Sequence, residues 1–253
     1  MKFEYLLLNL LIVIGPLVMS FEKQIRFVNK WRYAFPAIFI AAVPYIIWDV
    51  LVTGRHWWFN EHYTLDFRLL KLPLEEWLFF VTVPFASLFV WETIAFHFFD
   101  KNLMTMQYVR RGFYLLPLLG AFVFVGGKEY TGLMLVFLGI AAILDRMLKT
   151  NLFLRRRLLT DLASVLILIL VFNGYLTWRP VVLYDKAYQL GIRLGTIPIE
   201  DFGYGISLIL IATVLYEKMK TWSSAPAHDR TLKNNTAARL DVPSKYVKVI
   251  KTK

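Results

Sequence analysis

Seven stretches of this chain are dominated by apolar residues: Tyr5–Ser20, Tyr33–Thr53, Glu76–Phe99, Phe113–Gly126, Tyr130–Leu148, Leu158–Trp178 and Phe202–Met219. A helix crosses the hydrocarbon core of a bilayer with about 20 mostly apolar residues, in a range of roughly 17–25. Five of the runs meet that length; the first and fourth fall slightly short and rely on Lys and Tyr snorkelling at their ends. The first run does not read as a cleaved leader, because acidic Glu4 sits beside Lys2 and Phe21-Glu22-Lys23 is a poor cleavage context. The pattern predicts an all-α integral membrane protein with seven transmembrane helices. From about Thr221 the apolar period stops. Ser223 to Pro226 reads as a breakpoint, and residues 220–253 read as a flexible basic tail.

Composition agrees: 58% of the residues are hydrophobic and only 19% charged, against roughly 45–50% and about 25% in soluble domains. Charge adds an orientation. With seven spans, the first, third and fifth connections and the tail carry 21 of the 29 Lys and Arg residues. The positive-inside rule then places the tail in the cytoplasm and the N-terminus outside, in a multi-pass protein of the cell membrane. The net charge of +11 is thus a matter of topology and not a nucleic-acid signal. The absence of cysteine removes disulfides, thiolate nucleophiles, iron–sulfur clusters and Cys-based zinc sites. His56, His62, His97 and His228 form no ligand spacing, so no metal is expected. No dinucleotide or P-loop fingerprint occurs, and no cofactor is expected.

The chain also repeats itself. Pro73-Leu74-Glu75-Glu76-Trp77 recurs as Pro198-Ile199-Glu200-Asp201-Phe202, and the same spacing of 125 carries Tyr5 onto Tyr130, Arg32 onto Arg157, Arg68 onto Arg193 and Glu92 onto Glu217. Two units of three helices follow, 1–99 and 129–219, with a linker and the fourth span at 100–128. Three helices per unit would invert the second copy. One linker helix restores its direction and makes the repeats parallel, related by an axis along the membrane normal.

Proline followed by two acids suits the first turn of a helix, where carboxylates meet the positive end of the dipole. Carboxylates at the edge of a membrane span are also costly and are functional candidates by default. Glu75, Glu76, Glu200 and Asp201 are therefore candidate acids and bases. Since neighbouring helical residues point about 100° apart, one member of each pair is expected to face an interior cavity. Asp49, deep in the second span, is a further candidate, whereas Asp145 and Asp161 are expected to pair with Arg146 or Lys149 and with Arg157. Trp77 fits the interfacial aromatic belt, as do Trp31, Trp57, Trp58 and Trp178. Trp48 and Trp91 lie inside spans beside acids, where aromatic faces could stabilise a carbocation. Glu92 and Glu217 fall about 25 Å from the motif acids at 1.5 Å per residue.

The run from Leu72 to Pro84, the Trp91-Glu92 pair and the second Pro198-Ile199-Glu200-Asp201 motif resemble the lycopene cyclase domain of the heterodimeric type. In that family two small membrane subunits occur separately, fused in one chain, or fused and joined to a phytoene synthase. This chain resembles the fused bacterial form over residues 3–219. The resemblance implies a redox-neutral isomerisation of lycopene, through γ-carotene, to β-carotene. It carries the motif acids onto Glu75, Glu76, Glu200 and Asp201, with Pro73 and Pro198 as the motif prolines. Asp49, Trp48, Trp77, Trp91, Glu92 and Glu217 stand as supporting or substrate-binding candidates. The implied partners are lycopene taken from the bilayer and membrane lipid. The principal alternative is a transporter built from parallel three-helix repeats, but none of the ten prolines precedes Gln as a PQ-loop would require. A retinal protein would need a Lys in the last span, and a prenyltransferase would need Asp-rich motifs; both are missing.

Overall fold

The computed structural model describes residues 2–98 and 100–240. Among the described residues the α-helical pieces are α1 (Glu4–Met19), α2 (Trp31–Val52), α3 (Leu74–His97), α4 (Met106–Phe113), α5 (Leu116–Val125), α6 (Glu129–Met147), α7 (Arg156–Leu168), α8 (Gly174–Trp178) and α9 (Ile199–Leu240). Six continuous segments are long and apolar enough to cross a membrane, at 27–52, 74–97, 106–125, 129–147, 156–178 and 199–223. The 16-residue α1 is the shorter seventh, about 24 Å long at 1.5 Å per residue. The protein is an all-α, seven-helix membrane protein.

Two spans are composite. The fourth starts earlier than its apolar run, at Met106, and joins α4 to α5 through Tyr114 and Leu115. Pro117, with no N–H to give, sits in the first turn of α5, where that donor is not needed. The sixth span joins α7 to α8 through a π-turn at Ile169–Asn173.

Each element of the first unit returns 125 residues later. Helices begin at 4 and 129, 31 and 156, and 74 and 199. Short strands begin at 57 and 182, 68 and 193, and 72 and 197. The strands reveal how the copies are related. β1 (Trp57–Phe59) pairs antiparallel with β4 (Val182–Tyr184), with Trp58 opposite Leu183. Those two positions are themselves 125 apart, and an antiparallel pair centred on equivalent residues lies on a local two-fold axis. Within each unit a two-residue hairpin leads into the third helix: β2 (Arg68–Leu69) with β3 (Leu72–Pro73), and β5 (Arg193–Leu194) with β6 (Ile197–Pro198). The hairpin tips need left-handed backbone, at Leu70 and Lys71 in one copy and at Gly195 in the other.

The third helices α3 and α9 meet at the centre. α1 lies on α3 as α6 lies on α9, while α2 crosses to α9 and α7 crosses to α3, so the units interlock. The principal core runs along this seam, with Ala34, Ala37, Ala41, Ala141 and Ala142 letting backbones approach around Phe85, Leu88, Trp91 and Tyr216. α5 stands outside, against α6. Gly120 and Gly132 make that contact possible, since a Cβ on Gly120 would lie 2.5 Å from the Gly132 carbonyl oxygen.

Three expectations need correction. Helix α9 continues through Ser223–Pro226 to Leu240 instead of breaking there. A helix already nucleated by a membrane span elongates at little cost, and Ala, Lys, Arg and Leu beyond the proline favour it. Residues 241–253 of the expected tail lie outside the described residues. Asp145 pairs with Arg110 of α4 at 3.0 Å and accepts from Thr150 and the Leu152 N–H at 2.6 Å each, not from Arg146 or Lys149. Adjacent helical positions do not face one another, whereas α4 brings Arg110 directly onto the carboxylate. Asp161 is buried and forms no salt bridge with Arg157 among the described residues, because Arg157 turns to Glu217 and Trp91 instead.

Candidate active site

Pro73, at φ −65° and ψ 152°, ends the first hairpin in extended conformation and lets α3 start at Leu74. The two acids that follow fall in the first turn and diverge by one helical step. Glu75 turns back to the preceding loop: it is fully buried, and its Oε1 accepts the Leu65 N–H at 2.7 Å. Glu76 turns inward, where Oε2 accepts the Tyr5 hydroxyl at 2.5 Å. The second copy repeats this placement. Glu200 Oε1 accepts the Leu190 N–H at 2.7 Å and the Thr131 hydroxyl at 2.6 Å. Asp201 faces inward and accepts the Tyr130 hydroxyl at 2.6 Å. The equivalences 5 to 130, 65 to 190, 75 to 200 and 76 to 201 all hold at the same spacing.

The inward acids of both copies line one cavity of about 80 Å³ beneath the β1–β4 ribbon. Asp49 of α2 is the third carboxylate there. Its Oδ1 accepts the Trp57 indole N–H at 2.7 Å, and its Oδ2 is buried without a hydrogen bond. The walls are aromatic: Trp57, Phe59, Phe79 and Phe80 from the first unit, Tyr130, Tyr184 and Tyr204 from the second.

The cavity is not symmetric. Asp201 Oδ2 also accepts from Asn173 at 2.7 Å and from Tyr184 at 2.8 Å. The positions equivalent to Asn173 and Tyr184 are Trp48 and Phe59, and the position equivalent to Asp49 is Gly174. Asn173 owes its place to the π-turn, which ends on it; such single-turn bulges recur at functional sites. Burial, and then the charge of Asp201, push the Tyr184 hydroxyl well above its ordinary range, so it remains a donor.

The remaining candidates lie elsewhere. Trp48 packs edge-on against His56 with centroids 5.3 Å apart, outside the cavity lining. Trp77 donates to the Leu69 carbonyl at 3.2 Å and braces the hairpin. Pro73 and Pro198 pair with Arg68 and Arg193 in the hairpins. Trp91, Glu92 and Glu217 form a cross-braced cluster near the far end of the central helices. The Trp91 N–H donates to Glu217 at 2.9 Å, and the Tyr216 hydroxyl donates to Glu92 at 2.8 Å. Lys30 and Lys220 close on Glu92, Arg155 on Glu217 at 3.2 Å, and the Arg157 guanidinium lies 3.4 Å from the centre of the Trp91 ring. Each unit's aromatic thus holds the other unit's glutamate.

Sequence reasoning missed Tyr184, Tyr204, Phe79 and Asn173, and it left Trp57 in the aromatic belt. For Tyr5 and Tyr130 the signal was present, because both sit at repeat-equivalent positions after a Glu.

The profile of the lycopene cyclase family matches the chain twice, over residues 2–94 and 127–219. The chain belongs to the lycopene cyclase family. The two matches are offset by the same 125 residues as the helices, strands and acids, so each structural unit is one cyclase unit. No curated protein and no solved structure matches the chain. Membership makes it an enzyme of carotenoid biosynthesis in a multi-pass membrane setting, with a carotenoid substrate. In this cyclase the first-unit residues Tyr5, Asp49 and Glu76 share a cavity with the second-unit residues Tyr130 and Asp201.

Proposed function

We propose that the chain is a lycopene β-cyclase working at one composite cavity between its two units. The observation that carries this is the convergence of Glu76 and Asp201, one from each copy of the motif, in a single aromatic-walled space. The reaction adds and removes one proton per ring and needs no electron carrier. A carboxylic acid gives its proton to C2 of an open end and leaves a tertiary cation at C1. The C5–C6 double bond attacks, the C1–C6 bond forms, and the cation moves to C5. A carboxylate takes the C6 proton, which restores the C5–C6 double bond inside the ring.

The hydrogen bonds around the two acids support a division of roles. Asp201 accepts three hydrogen bonds, which orient both of its oxygens as acceptors and suit the base. Glu76 accepts one, from Tyr5, which leaves Oε1 to carry the proton to be donated. Asp49 places a third carboxyl group beside the cation, and Trp57, Phe79 and Phe80 offer their ring quadrupoles to it. By the positive-inside rule this cavity belongs to the outer half of the membrane, with the Glu92–Glu217 cluster toward the cytoplasm. Expression in a host that accumulates lycopene tests the reading: red pigment should turn to yellow-orange β-carotene, whereas persistence of lycopene with the protein present in the membrane would reject it.

A further inference from the structure

We propose that the groove between α1, α3 and α7 seats the polyene body of the substrate, and that its symmetry mate is closed. This rests on the cyclase reading above and specifies how that site is loaded. The groove has about 260 Å³ of space and shares Phe79, Asn173 and Asp201 with the carboxylate cavity, so the two spaces adjoin at these residues. Apart from those shared residues and Ser87 its walls are aliphatic or aromatic, with Leu11 and Ile12 of α1, Val83 and Val90 of α3, and Val165 and Leu168 of α7 prominent. Leu11 exposes most of its surface to the bilayer at this face. An uncharged linear hydrocarbon fits such a wall; a polar or charged ligand would leave its groups unpaired there.

The two-fold axis makes the comparison with the other side strict. Moving 125 residues converts Ile12 to Phe137, Phe79 to Tyr204, Ala86 to Ile211 and Val90 to Leu215. Each of these four changes enlarges the side chain, whereas Leu11, Pro16 and Phe172 correspond to the smaller Val136, Ala141 and Ile47. The Tyr45 ring then stacks on Phe137 with centroids 4.2 Å apart, meets Tyr204 at 4.9 Å, and donates to Ser207 at 2.8 Å. Tyr45, Ile211 and Leu208 are buried in the resulting core. Helix α2 also has no counterpart of the π-turn that carries Asn173 toward Asp201 in the sixth span. One side of the molecule is a filled seam, the other an open slot ending on the base.

The test uses full-length Glu76→Gln protein, which keeps the groove and blocks proton donation. It is purified from lycopene-accumulating membranes, and bound polyene is measured by absorbance per protein. Leu11→Trp narrows the groove from a bilayer-facing position that the fold does not depend on, and Ala86→Ile installs the residue of the closed side. Each should lower retained lycopene by roughly tenfold. Ile40→Trp, the equivalent of a change at Val165 on the closed side, should leave retention unchanged. If Leu11→Trp retains as much lycopene as its parent, or Ile40→Trp loses as much as Leu11→Trp, the groove assignment fails. The cyclase reading is judged separately, by conversion in the unsubstituted chain.

Discussion

The division of labour within each acid pair is the main point at the scale of single residues. Helical geometry separates Glu75 from Glu76 by about 100°, and the loop and the cavity each take one. Glu76→Gln and Asp201→Asn keep volume but remove the acid and the base, and each should lower conversion by roughly 10²–10⁴-fold. Glu75→Gln keeps a carbonyl that can accept the Leu65 N–H, so activity should stay within a few-fold. Glu75→Leu orphans that buried donor and should cost about 1–3 kcal/mol of stability, read as a lowered unfolding temperature in detergent. Equal loss of activity in Glu75→Gln and Glu76→Gln, with intact folding, would contradict this division.

At the scale of elements, the opposite ends of α3 and α9 do different work. The first turns carry the acids proposed for the chemistry, while the far ends carry the Trp91, Tyr216, Glu92 and Glu217 cluster that ties the units together. Trp91→Ala removes a buried indole, its bond to Glu217 and its contact with Arg157, and should cost about 3–5 kcal/mol. The protein should then unfold at lower temperature yet cyclise normally while folded; a selective loss of rate without loss of stability would place Trp91 in the chemistry after all. This division explains what was legible beforehand. The spans, their number and the repeat were visible because apolar length and self-similarity are properties of the chain alone. The π-turn was not, since Ile169 to Phe172 are as apolar as their neighbours and only packing reveals the wider turn. Asn173, Tyr184 and Tyr204 were hidden for a related reason: they have no polar counterpart, or an altered one, in the first unit, so the repeat did not point to them.

For the whole molecule, the cavity is incomplete in either unit. Tyr5, Asp49 and Glu76 belong to one, Tyr130, Tyr184 and Asp201 to the other. Cutting the chain in the connection between α3 and α4 leaves the linker span packed on α6. The two pieces should restore cyclisation when co-expressed, and each alone should leave lycopene unchanged. Activity from either piece alone would refute the composite site. One cavity also means that the second end of the substrate must take the place of the first, so monocyclic γ-carotene should appear before β-carotene in a time course and decline as β-carotene rises.

The most direct test of proton-initiated cyclisation at this site is conversion of lycopene in D2O by membranes containing the protein, without added cofactor, followed by mass spectrometry of the product. The account predicts β-carotene carrying one deuterium at C2 of each ring, abolished together with the product by Glu76→Gln. β-Carotene formed without solvent deuterium, or formed undiminished by Glu76→Gln, would contradict it.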